Sequence, residues 1–329
     1  MTNYILLCTS SSDFYFLLDL TIFVVKYDKV ICVFHRKYQQ TKKEVINMNV
    51  RSASFAGSWY PDIPEACERE IKQFLGGKAL EIPEGPWVGG IVPHAGWYFS
   101  GAIACQVIHA LKTDTPPDLF ILFGMHLHPT SPNYIMMEGA WETPFGEIAI
   151  ETELARNLAE KFPFHIETAR KHAKDNTIEL QLPFIKYFFP KARIVPMGLP
   201  PRETSLEIGK AAAEMASAMG LHAGVIGSTD LTHYGFNYGF IPEGTGTSAV
   251  NWVRNKNDRK VIEAMLAMNP TRVIEEGLAS QNACCSGAAA AAMAAGKALG
   301  ATSAIQTAYA TSYDKSPGDS FVGYVGILF

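Results

Sequence analysis

The chain has 329 residues, 48% of them apolar and 18% charged, with a formal net charge of −4. That apolar share is enough for a substantial buried core. A mildly acidic chain without a basic cluster argues against nucleic acid or an anionic membrane as the main partner.

Six cysteines are spread through the sequence, and only Cys284 and Cys285 are neighbours. Such usage suits a reducing, cytoplasmic setting. A vicinal disulfide is strained, so the pair reads as thiols, one of them a candidate metal ligand.

Residues 1–47 differ from the rest: they are rich in Phe, Tyr, Ile and Lys and contain neither glycine nor proline. The apolar stretch from Phe14 to Val25 is interrupted by Asp19 and is shorter than the roughly 20 residues of a membrane-spanning helix. It also lacks the basic flank and cleavage site of a signal peptide. Lys43-Glu44-Val45 can be encoded by a ribosome-binding sequence placed at normal start spacing from Met48. The expectation is translation from Met48, with 1–47 an upstream extension outside the fold and 48–329 one domain.

From residue 58 onward, helical periodicity alternates with short apolar runs. Helix is predicted at 64–75, strand at 89–93, helix at 101–111, strand at 119–123 and helix at 151–161. Strand 194–197, helix 205–219, strand 223–227, helix 258–268, helix 287–299 and strands 304–310 and 322–328 follow. The glycine-rich stretch 238–248 reads as a surface loop, and no internal repeat is present. This alternation predicts a single layered α/β domain with a central mixed sheet flanked by helices.

Two of the predicted strands end in histidine. Gly89-Gly90-Ile91-Val92-Pro93 leads to His94, and Phe120-Ile121-Leu122-Phe123-Gly124-Met125 leads to His126. Open α/β sheets gather their ligands at the carboxyl ends of their strands. One buried histidine is explained by a backbone hydrogen bond; the repeat at a second strand end points to a metal pair. His126 and His128 flank Leu127 on one face of an extended segment, and spacing does not choose between them.

A third strand, 223–227, runs into Ser228-Thr229-Asp230-Leu231-Thr232-His233-Tyr234. Asp230 and His233 are near enough in sequence for the carboxylate to orient the imidazole for proton transfer. Cys284 precedes a helix, whose positive end favours a thiolate. Glu179 and Gln181 alternate with apolar neighbours and are candidates for lining a cleft. No phosphate loop, nucleophile elbow or HExxH helix is present.

Seven ordered motifs together resemble the Memo family, the Memo part of the microbial AmmeMemoRadiSam set. They are Ala56-Gly57-Ser58-Trp59-Tyr60-Pro61, Pro93-His94-Ala95-Gly96-Trp97, Gly124-Met125-His126, Glu179-Leu180-Gln181-Leu182-Pro183, Ser228 to Tyr234, Asn282-Ala283-Cys284, and Tyr309 to Asp314 with Val322-Gly323-Tyr324. The resemblance implies a fold like that of class III extradiol dioxygenases, which are non-haem iron enzymes. It also implies a metal, Fe(II) or Cu(I), on His94, His126 and Cys284, with His233 as acid/base, and it selects His126 over His128. A thiolate in place of the usual carboxylate moves preference toward softer metals.

The chain departs from the family pattern at Asp175-Asn176-Thr177, where Glu-His-Ser is usual, and at Cys285, where glycine is expected. The resulting expectation is redox or O2-dependent chemistry on a small organic substrate. His233 and Asp230 would be catalytic, and Trp97, Phe99, Tyr234, Asn176 and Glu179 would form the substrate pocket. The alternative is a non-catalytic module that binds metal or a peptide. A radical-SAM partner is implied by family association alone.

Overall fold

The computed structural model describes residues 6–8, 14–18, 21–25, 49–76 and 85–329. Two compact units divide after Met48. In the first, β1 (Leu6–Cys8), β2 (Phe14–Leu18) and β3 (Thr21–Val25) pair antiparallel in chain order. The expected start residue, Met48, and most of the proposed extension lie outside the described residues.

The second unit is built on a nine-stranded mixed sheet. Its strands are β5 (Gly89–Val92), β6 (Leu119–Gly124), β7 (Asn133–Met136), β10 (Phe164–Glu167), β11 (Arg193–Gly198), β12 (Ala223–Ser228), β13 (His233–Tyr234), β14 (Ile305–Thr311) and β15 (Phe321–Leu328). The order is β10-β7-β11-β6-β12-β5-β15-β13, with β14 on β15. The four strands β11, β6, β12 and β5 run parallel. β15 closes antiparallel on β5, β14 and β13. Every residue of β5, β6 and β12 is buried, the pattern of central strands covered on both faces. A small satellite sheet joins β4 (Val50–Arg51), β8 (Ala140–Trp141) and β9 (Ile148–Ala149).

Helices flank the sheet: α1 (Pro64–Gly76), α2 (Trp97–Ala110), α3 (Thr152–Lys161), α4 (Asn176–Glu179), α5 (Leu182–Phe188), α6 (Glu203–Ala218), α7 (Thr247–Trp252), α8 (Asp258–Leu266), α9 (Pro270–Ser280) and α10 (Ser286–Ala298). The alanine-rich α10 is buried from Ser286 through Met293 and packs against α6, β12, β5 and β6. Small side chains permit that approach. A Cβ on Gly209 of α6 would stand 2.2 Å from the Ala291 carbonyl oxygen, and one on Gly227 of β12 would stand 2.7 Å from the Ala292 methyl.

The predicted helices and strands all form, with shifted ends. α2 begins at Trp97, four residues before the expected start, because the Trp97 indole stacks on Phe184 at 4.2 Å and fixes the first turn against α5. The Glu179-to-Pro183 segment spans the junction of α4 and α5, where Pro183 occupies the first turn of α5.

Candidate metal centre

Three parallel strands deliver their loops to one place. β5 ends two residues before His94, β6 ends two residues before His126, and β12 runs into Thr229 and Asp230. The segment before α10 brings Cys284 and Cys285 to the same point, with Cys285 at the helix N-cap.

The Nε2 atoms of His94 and His126 face each other at 3.1 Å, and Cys284 Sγ lies 3.3 Å from His94 Nε2. Cys284 and Cys285 are free, with sulfurs 3.7 Å apart. One donor atom from each of the four residues falls within a 4.8 Å set. Metal bonds of about 2.0–2.3 Å place tetrahedral N and S donors roughly 3.3–3.7 Å from one another. The pairs at 3.1, 3.3 and 3.7 Å lie close to that spacing and the whole set falls within 4.8 Å, so the group is one that could hold a metal. Cys285, which the resemblance gives as a substitute for glycine and the vicinal thiol pair offers as a candidate ligand, stands in the donor set. His128 is exposed, with Nδ1 on Thr130 Oγ1 at 2.8 Å, outside that set.

The tautomer of His94 is dictated by its neighbours. Ser228 donates its single hydroxyl proton to the Thr177 carbonyl at 2.7 Å, so Ser228 Oγ accepts from His94 Nδ1 at 3.0 Å. With Nδ1 committed to Ser228, Nε2 is the ring nitrogen left to face Cys284 and His126, and it offers a lone pair to an ion once its own proton has gone. The backbone around His94 is pinned on three sides. Asp230 Oδ1 accepts from His94 N at 2.7 Å, Asn176 Nδ2 donates to His94 O at 2.9 Å, and Gln181 Nε2 donates to Pro93 O at 3.0 Å.

His126 is aimed by an unusual turn. Met125 has φ of 69°, a left-handed conformation costly for a side chain, and its N–H is caught by Thr177 Oγ1 at 2.8 Å. The α4 turn thus ties together the ends of β5, β6 and β12. Thr177 and Ser228 support the site through hydroxyl contacts that depend on chain crossings and carry no sequence signal, while Gln181, a candidate for lining the cleft, is buried and holds the Pro93 carbonyl instead.

Electrostatics divide the two thiols. Burial alone would push the Cys284 thiol up, but a hydrogen bond with Cys285, the His94 charge and contacts with His126 and His94 outweigh it and hold it well below the thiol range. Burial pushes Cys285 up, and the adjacent Cys284 charge adds to the effect. Burial disfavours charge on His94 too, yet Asp230 and Cys284 raise it to about 9. The Asp230 carboxyl is raised by burial, with His94 and His233 partly opposing. Asp230 N–H also donates to Cys284 Sγ at 3.3 Å, and Cys284 N–H returns to Asp230 O at 3.1 Å.

The structure orients His233 differently from expectation. Its Nδ1 lies 3.2 Å from the Leu231 carbonyl, while the Asp230 carboxylate serves His94. The Leu231 carbonyl accepts only from a protonated nitrogen, so in the neutral ring of His233 the acceptor is Nε2, and the ring lies against Tyr238 at 4.9 Å.

An open cleft of about 560 Å³ lies over the centre. His94, His126, Asp230, His233, Asn176 and Phe99 line it, with Trp59, Tyr98, Tyr238 and Tyr324 as further walls. Three other expected pocket residues sit elsewhere. Trp97 is buried on Phe184 with its indole N–H on the Leu180 carbonyl at 3.1 Å. Tyr234 is buried against Phe321, its hydroxyl on the Gly244 carbonyl. Glu179 accepts from Phe55 N at 2.6 Å and Tyr60 OH at 3.1 Å, which fastens the segment carrying Trp59.

A family model described as Memo-like protein matches residues 51–328 of the chain. Curated relatives include a MEMO1 family protein of Pyrobaculum aerophilum, 32% identical over 86% of this chain and 99% of the relative. Others are MEMO1 family proteins of Methanopyrus kandleri, 35% identical over 85% and 98%, and of Pyrococcus furiosus, 32% identical over the same shares. Among solved structures, an uncharacterized Escherichia coli K12 protein aligns at a TM-score of 0.45 and 10% identity, covering 73% of this chain and 98% of that one.

Proposed function

This chain belongs to the Memo-like protein family, and on that premise we propose that it is a metal-dependent redox protein acting on a small organic substrate with O2. The observation that carries this reading is the pair of facing imidazole nitrogens at 3.1 Å with a thiolate sulfur 3.3 Å from one of them. His94, His126 and Cys284 are the proposed ligands, under a dioxygenase-like arrangement of strand-end loops. The donor set, with two imidazoles and sulfur, suits Cu(I) and permits Fe(II). When bound, such an ion supplies one-electron redox chemistry and a Lewis acid at the floor of the cleft.

The protein's own groups do the rest. Ser228 holds His94 in the ligating tautomer, and Asp230 balances charge beside it. His233, with Nε2 free to accept, takes a proton from a substrate hydroxyl in the cleft. Trp59, Tyr98 and Phe99 provide apolar walls for an organic ring or chain, in a cleft of the size small ligands occupy. Metal analysis of protein purified without oxygen should find one equivalent in the wild type and almost none in His94→Ala or Cys284→Ala. Equal metal content in all three rejects the site.

A second reading has its own observation. Cys285 Sγ belongs to the same donor set, and a fourth protein ligand would close the coordination shell, as in structural rather than catalytic sites. The protein would then hold metal, or a peptide over it, without turnover. Exchangeable water on the bound ion, read by relaxation of solvent protons with a paramagnetic metal, separates the two: exchange favours the enzyme.

A further inference from the structure

The metal site rests on two loops, one from β12 through Asp230 to His233 and one carrying Cys284 into α10. Behind them lies a buried polar cluster that neither metal binding nor proton transfer uses directly. It is centred on Asn257 and Asp258, where a π-helical turn, Val253–Asn257, gives way to α8. Both residues are buried, as are Thr232 and Asn282.

Both loops are anchored to these two adjacent residues. Asp258 Oδ1 accepts from both the backbone N–H of Thr232, at 3.1 Å, and the Thr232 hydroxyl, while Oδ2 accepts from Tyr309 OH at 2.7 Å. Thr232 is the residue before His233. Asn257 Nδ2 donates to Thr232 Oγ1 and to the Ser280 carbonyl, each at 3.0 Å, and the Asn257 carbonyl accepts from Asn282 Nδ2 at 2.8 Å. Ser280 and Asn282 belong to the segment that ends in Cys284. β15 closes the clasp from the other side, with Leu231 N donating to Gly323 O at 2.8 Å and Gly323 N to Thr232 O at 3.0 Å.

A π-turn carries one extra residue per turn, and such turns recur next to functional sites. We infer that the Asn257–Asp258 junction is a positioning device for the metal centre: it holds the Cys284 loop against the Asp230 loop, and so the thiolate against the His94–His126 pair. Asn257 is the residue that binds both loops at once. It is a positioning residue, since it touches neither the donor atoms nor the cleft. The inference rests on the metal-site reading above.

The test is cobalt(II) titration of the whole protein, following thiolate-to-cobalt charge-transfer absorption, alongside circular dichroism and thermal melting. Asn257→Ala should stay folded, bind cobalt roughly 10–100-fold more weakly and show a weaker thiolate band per bound ion. Thr232→Val, which removes the shared hydroxyl with little change in volume, should move both readouts the same way, and Thr232→Ser should restore them. If Asn257→Ala does not fold, Thr232→Val against Thr232→Ser decides. A folded variant with unchanged affinity and band, whatever its melting temperature, overturns the positioning role. His94→Ala separates the two ideas. Unchanged cobalt binding in His94→Ala overturns the metal site and the inference together, whereas loss there with no effect at Asn257 or Thr232 overturns the inference alone.

Discussion

At the residue scale, the centre depends on one proton. Ser228 has a single hydroxyl hydrogen, given to Thr177 O, and this leaves His94 as the donor in their mutual bond. Ser228→Ala removes the acceptor that selects the tautomer, and supporting groups of this kind are worth about 10–100-fold in metal affinity. Competition against a chelator of known affinity should show that loss, with the fold retained. The identities of His94, His126 and Cys284 were readable from strand-end position and motif resemblance. The hydrogen-bond partner of His233 was not: Asp230 three residues away is the natural candidate by spacing, but an adjacent turn brings the Leu231 carbonyl nearer and releases Asp230 to His94.

At the scale of elements, α10 links the core to the site. Its alanines let it lie within reach of both α6 and β12, and its first residue follows Cys285 directly. Gly209→Ala would set a methyl against the Ala291 carbonyl, a backbone atom that cannot swing aside. Overpacking of this kind costs about 1–3 kcal/mol, visible as a lower urea midpoint with unchanged slope. A weaker cobalt thiolate band should accompany it, because α10 would carry the cysteines with it. The long periodic helices and the fully apolar strands were legible in the sequence, since burial on one face or both imposes a pattern. The short pieces β7 to β10 and α4 were not, because their existence is settled by partners far along the chain: β10 pairs with β7, and α4 is held by contacts to the ends of β5, β6 and β12. Trp97 and Tyr234 were read as pocket walls from their motif neighbours, and packing instead turns them inward.

At the scale of the whole molecule, two perturbations should register in global stability. Burial raises the Asp258 carboxyl to about 7, with the Thr232 and Tyr309 hydrogen bonds opposing only in part. An acid whose native pKa lies above its unfolded value favours the fold while protonated, so this contribution is full below about pH 4 and is lost as pH rises through 7. Denaturant unfolding should therefore show stability falling between about pH 4 and 7, and Asp258→Asn should flatten that slope. The second perturbation is the ion itself. A ligand that binds only the native state at a hundred times its Kd adds about 2.7 kcal/mol. Loading with cobalt should raise the melting temperature of the wild type and leave that of His94→Ala where it is.

The antiparallel closure of β15 on β5 has a consequence for biosynthesis. The strand leading to His94 leaves the ribosome early, yet its two sheet neighbours, β12 and β15, emerge only after most of the chain has been made. Until then β5 presents two bare edges, and the imidazole of His94 has no Ser228 to orient it and no Cys284 beside it. The nascent chain therefore cannot assemble the His/Cys donor set piecemeal, and a translation arrest anywhere before β15 leaves an apolar strand open to wrong partners. Assembly of this donor set is thus a late event, coupled to completion of the sheet.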